Sequence, residues 1–99
     1  MSALTVTSIT GTTSIPQGNS EVVYIVDASS GGFTITLPDA VGDDGDHMYM
    51  KRIDGVVANP VTVATIGSGQ KIDGSSTVSL TKNKFYHFLA YNGQWYIIG

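Results

Sequence analysis

Ninety-nine residues allow one domain, and the absence of cysteine excludes disulfides and thiolate metal sites as aids to a small core. Charged residues are 13% of the chain, about half the usual share, and the net charge is −3. Nucleic-acid binding needs a basic face, and Lys51-Arg52 is the only basic pair, so that function class is set aside.

Hydrophobic residues are an ordinary 41%, so Ser, Thr, Gly and Asn have replaced the missing charge. That composition suits β structure and an uncharged polar surface packed against other proteins. The start, MSALTVTSIT, has neither the basic region nor the apolar run of a signal peptide. No apolar stretch approaches the ~20 residues that span a bilayer. The expectation is a soluble chain made in a cytoplasm, with no membrane partner.

Residues 1–14 are mostly Ser, Thr and small apolar residues, and predict an N-terminal extended arm or a first strand. An arm of this kind would pair with a neighbouring subunit's sheet edge. Residues 15–99 are expected to form a β-sandwich domain. Ile15 to Asn19 is a turn cluster. The five apolar residues VVYIV, Val22 to Val26, predict a central strand covered on both faces. ASSGG (Ala28 to Gly32) is a flexible connection. From Phe33 to Leu37 the apolar residues alternate with threonine, which is a strand with one buried face, and Pro38 ends it.

The polar corner Asp39 to Asp46 carries four acids. Their oxygens suit calcium, but the spacing matches no EF-hand and the twelfth-position Glu is missing, so turn formation is the preferred reading and no metal site is assigned. In His47 to Ile53, Met48, Met50 and Arg52 share one face while Tyr49, Lys51 and Ile53 share the other. Both faces are expected to be partly covered. Asp54-Gly55 has the chemistry of a type I′ turn. Val61, Val63 and Thr65 mark the next strand. Gly67-Ser68-Gly69 is a loop, Asp73-Gly74 a turn, Val78 and Leu80 a strand, and Asn83 a turn. In Phe85 to Ala90, Tyr86, Phe88 and Ala90 face one way. Asn92-Gly93 is the strongest hairpin signal and returns Trp95 to Ile98 beside that strand.

No window shows helical spacing over ten or more residues. About eight short strands predict an all-β fold: a single antiparallel sandwich or jelly-roll-like barrel. Phe88 and Trp95 are expected in its core. No G-x-S-x-G elbow accompanies the two histidines, His47 and His87, and no paired carboxylates stand in a recognisable frame, so no enzymatic role and no cofactor are expected. His87, between Tyr86 and Phe88, should point outward. Together with Tyr91 and Tyr96 it is the candidate contact for a glycan or a protein partner.

The ordered set D-A-S-S-G-G-F-T-I-T-L-P (Asp27 to Pro38), G-D-D-G (Gly42 to Gly45), K-R-I-D (Lys51 to Asp54), V-T-V (Val61 to Val63), I-D-G-S-S (Ile72 to Ser76) and N-G-Q-W-Y-I-I (Asn92 to Ile98) resembles a small β module of tailed bacteriophages. The resemblance runs from about Val22 to Gly99. The module recurs in fibre, spike and head-associated virion proteins. It implies a homotrimeric, β-rich virion component without enzymatic activity. A copy that fills nearly the whole chain implies a capsid decoration (cement) protein on the virion surface, with the major capsid protein as its partner. The alternative is a tail-fibre, spike or head-fibre module that binds host-surface glycans.

Overall fold

The computed structural model describes residues 4–18, 22–67, 69–82 and 84–99. Met1 to Ala3 of the expected arm, Asn19 of the first turn cluster, Ser68 of the glycine loop and the turn at Asn83 therefore lie outside the described residues. Among the described residues nine strands follow in order: β1 (Thr5–Ile9), β2 (Thr13–Ser14), β3 (Val22–Val26), β4 (Phe33–Thr36), β5 (His47–Arg52), β6 (Val61–Ala64), β7 (Thr77–Ser79), β8 (Phe85–Tyr91) and β9 (Gln94–Ile97). They form a five-stranded sheet, β1-β3-β5-β8-β9, and a four-stranded sheet, β2-β4-β6-β7. The fold is all-β, and the described residues contain no helix.

The direction of the strands corrects the expected antiparallel arrangement. Four of the seven strand pairings are parallel: β1 with β3, β3 with β5, β2 with β4, and β4 with β6. The chain alternates between the sheets three times, laying each new strand parallel to the last one in that sheet. Parallel neighbours need a long crossover connection. Here the crossover is a strand of the opposite sheet, where most folds use a helix. Period-two patterning assigns faces but not the direction of a neighbour, so both architectures fit the same sequence. The remaining pairings, β5 with β8, β8 with β9 and β6 with β7, are antiparallel. Both sheets are thus mixed. Residues 4–14, the described part of the expected arm or first strand, supply β1 and β2, each paired within its own chain.

The turn chemistry is obeyed in two places and overridden in a third. Asp73 and Gly74 have φ of 49° and 84°, and Asn92 and Gly93 have φ of 53° and 75°, the left-handed pairs that a type I′ turn requires. Asp54-Gly55 makes no such hairpin. The strand before it, β5, and the strand after it, β6, belong to different sheets, and the Asp54 carboxylate is recruited elsewhere.

One hydrophobic cluster draws on both sheets: Val26, Met48, Met50, Phe88 and Trp95 from the larger, Ile35, Val61 and Val63 from the smaller, with Leu37 and Ile72 from connections. Phe88 and Trp95 are fully buried, as their alternation predicts. The Trp95 indole N–H donates to the Pro38 carbonyl at 3.1 Å, which ties the last strand to the corner after β4. β3 is buried on one face, through Tyr24 and Val26, but only half-covered on the other.

Gly32 sits where two successive turns of the chain touch. A Cβ there would lie 2.5 Å from the Pro60 carbonyl oxygen and 2.9 Å from its ring. The next residue, Phe33, donates its N–H to that same oxygen at 3.0 Å, so the contact cannot widen without breaking the β4–β6 ladder. Gly32→Ala is expected to cost about 1–3 kcal/mol, as overpacking does, and to lower the denaturant midpoint. An unchanged midpoint would mean that the two turns are not held in this contact.

Candidate functional site

The two sheets turn different outer faces to their surroundings. Register and alternation give the four-stranded sheet an outer face of Thr34, Thr36, Thr62, Ala64, Thr77 and Ser79, small and uncharged. The five-stranded sheet carries a different set. Three rows run across it: Ser8–Ile25–Lys51–Phe85, Val6–Val23–Tyr49–His87, and His47–Leu89–Tyr96. Val6 is 65% exposed, Phe85 45% and Tyr96 38%, while Val23, Ile25, Tyr49 and Leu89 are half-buried by one another. Lys51 is the one charged side chain in these rows. A sheet face normally alternates apolar-in with polar-out. This one is apolar and aromatic on both sides, and a contiguous patch of that kind marks an interaction surface.

At its centre four rings pack together. Tyr49 stacks on His87 with centroids 4.1 Å apart and planes 24° from parallel. Phe85 lies 5.5 Å from Tyr49, and His47 meets Tyr49 edge-on at 5.9 Å. His47 Nδ1 and His87 Nε2 are 2.8 Å apart, so one imidazole N–H donates to the other's lone pair. Their ring centroids are 5.1 Å apart, longer than the nitrogen separation by about the two ring radii. The two rings therefore point straight at each other. Burial, and then the neighbouring His47, hold His87 below the ordinary imidazole value.

Of the three residues singled out from sequence, Tyr91 and Tyr96 are neighbours, with ring centroids 6.3 Å apart, and both are exposed at the hairpin end of β8 and β9. His87 lies on the outer face as its alternation indicates, but within the cluster of Tyr49, Phe85 and His47. That cluster is not legible in the chain order. His47 and His87 are 40 residues apart, and only the β5–β8 register brings them together.

Three of the four acids in the corner accept hydrogen bonds, mostly from the backbone. Asp39 accepts from the Val41 N–H and the Gln70 amide, Asp44 from the Asn92 N–H, and Asp46 from the Gly18 N–H. Among the described residues no group of three His, Cys, Asp or Glu side chains is placed to hold a metal ion.

A second cluster also escaped the sequence reading. Arg52, one of the only basic pair in the sequence, is buried and clasps Asp54 through Nε and Nη2 at 3.0 and 2.8 Å. It also donates to the carbonyls of Leu80, Val56 and Asn59 at 3.0, 3.0 and 2.7 Å. Asp54 in turn accepts the Ala28 and Val56 N–H groups. Each of the three guanidinium nitrogens already donates to the protein's own carbonyls or carboxylate, beside a cavity of about 210 Å³. A larger groove of about 520 Å³, at the corner between β1 and β2, is lined by Thr and Ser hydroxyls, with Tyr24 the only titratable side chain among the described residues that line it. Neither cavity assembles a nucleophile with a base.

No family model matches this chain, and no curated protein does. The outer face of the five-stranded sheet is thus characterised by its own chemistry: apolar, aromatic and nearly uncharged.

Proposed function

We propose that the chain is a non-enzymatic structural protein that works as a homotrimer, and that the trimer is a capsid decoration protein of a tailed phage bound to the major capsid protein. The observation that carries the assembly is the aromatic outer face of the five-stranded sheet, with its single charge. A second copy is its natural occupant, because the rows are apolar and aromatic apart from one charge, Lys51. The motif order from Asp27 to Ile98 supports the virion setting.

Size supports three copies. Five strands at ~4.8 Å spacing, with about five residues at ~3.3 Å each, give a face of roughly 24 by 17 Å. Three such sheets closed around an axis stand about 7 Å from it, a little over half the ~10 Å spacing of stacked sheets, and the rings of Tyr49, Phe85 and His87 suit the extra room. Three faces of this size bury more than the ~1,000 Å² that a specific interface needs. The Thr- and Ser-rich face of the other sheet then lies outward, available to a shell.

Binding only the assembled shell stabilises that shell by mass action, and three contacts per trimer add through effective concentration. Particles carrying the protein are expected to release DNA at a higher temperature than particles stripped of it. Equal release temperatures would remove the cementing role. The exposed Tyr91–Tyr96 pair favours one second reading, a fibre or spike module whose aromatic rings stack on host sugars; binding of the isolated protein to a glycan array would support it.

A further inference from the structure

We propose that the His47–His87 pair is an acid-operated latch of the homotrimer: it holds the interface closed at neutral pH and opens it when both imidazoles are protonated. The inference rests on the oligomeric reading above and adds its regulation. The geometry is specific. Two imidazoles pointing at each other across 2.8 Å share one hydrogen, which one ring donates and the other accepts. The contact survives a single added proton, because one lone pair still accepts. A second proton leaves two N–H groups facing each other, with like charges and no acceptor.

The surroundings offer no relief. Tyr49 from β5 is stacked on His87, Phe85 from β8 packs beside it, and Gly99 lies against the His87 Cβ. From β3 come Val23 and Ile25, and from β9 comes Tyr96, opposite Leu89. The charged group on the same face is Lys51, which adds to the repulsion. The nearby carboxylates Asp44 and Asp46 are engaged with the Asn92 and Gly18 N–H groups. In the trimer three such pairs meet near the axis, away from water.

The sign follows from the direction of the His87 shift. Burial and His47 depress its protonation already in the single chain, and covering the same face in the trimer takes more water from the ring and lowers it further, so the trimer binds fewer protons than the released chains. Assembly is favoured while the released chain's rings are unprotonated and is lost as the pH falls through that chain's His87 value, which already lies below the ordinary 6.5. If each chain takes up one proton on release, the trimer dissociation constant rises by as much as about a thousandfold per pH unit.

The test is sedimentation velocity of the full chain at about pH 8 and about pH 5, values that bracket imidazole titration, with the Trp95 near-UV signal monitoring the fold. The expected result is a trimer at the higher pH and folded single chains at the lower one. In the double variant His47→Gln/His87→Gln, which keeps donor and acceptor but does not titrate, whatever assembly is present at the higher pH should be unchanged at the lower one. Should that variant fail to assemble, proton uptake by the wild type during dissociation decides, with about one or more per chain expected from the histidine ring NMR shifts. A trimer equally stable at both pH values overturns the latch and leaves the oligomer standing. A single chain at the higher pH overturns both. Acid dissociation in the double variant, or without uptake by these rings, assigns the switch to another group and overturns this one.

Discussion

Trp95→Ala is expected to remove about 3–5 kcal/mol of stability, enough to unfold a marginal domain of this size at ambient temperature. The indole is fully buried and is the largest side chain in the core. It sits in β9, the last strand of the five-stranded sheet, and its backbone pairs on one side with Ala90 and on the other with the segment around Ile72. Its N–H satisfies the Pro38 carbonyl. Truncation therefore opens a cavity and strands a buried acceptor at once. Trp95→Phe separates the two effects: it fills most of the volume and leaves the carbonyl unpaired, for about 1–3 kcal/mol. Urea unfolding of both variants measures this, and a parent-like midpoint for Trp95→Ala would place the indole outside the core.

Arg52→Ala is expected to cost about 3 kcal/mol, because it leaves the Asp54 carboxylate buried without its cation and takes the guanidinium donor from the Leu80 and Asn59 carbonyls. The pair joins the end of β5 to the connections on either side of β6 and β7, so the loss loosens both sheets. The Arg52 guanidinium and two backbone N–H groups hold Asp54 far below the usual carboxylate range. A carboxylate with a depressed folded-state pKa contributes stability that is present above its ordinary value, 3.8, and is lost as the pH falls below it. The wild type should lose midpoint stability between about pH 4 and pH 2 by more than Arg52→Ala does. If the two acid limbs run parallel, the ion pair is not what the acid titrates.

The parts of this fold that were legible in the sequence are those set by local rules. Alternation placed Phe33 to Thr36, Val61 to Val63 and Tyr86 to Ala90, and the left-handed pairs Asp73-Gly74 and Asn92-Gly93 turn as their chemistry demands. The parts that were not legible depend on which strand lies beside which. Parallel winding leaves no mark on a period-two pattern. Alternation put Arg52 on a face with Met48 and Met50, but its partner was not legible because Asp54 reads as a turn former. The aromatic outer face is a property of rows that cross the sheet. Val6, Val23, Tyr49 and His87 lie far apart in the chain and share a row only through three registers. Tyr91 and Tyr96 could be singled out because a hairpin joins them, whereas His47 and His87 could not be paired across 40 residues.

The most direct measurement is the mass in solution, by sedimentation equilibrium at about pH 8, of the wild type and of Tyr49→Asp, which puts a charge at the centre of the outer face. The wild type should weigh three times the 10.4 kDa chain, and Tyr49→Asp should weigh one folded chain. A wild type at the mass of a single chain, or a trimer that Tyr49→Asp leaves intact, would contradict assembly through the five-stranded sheet.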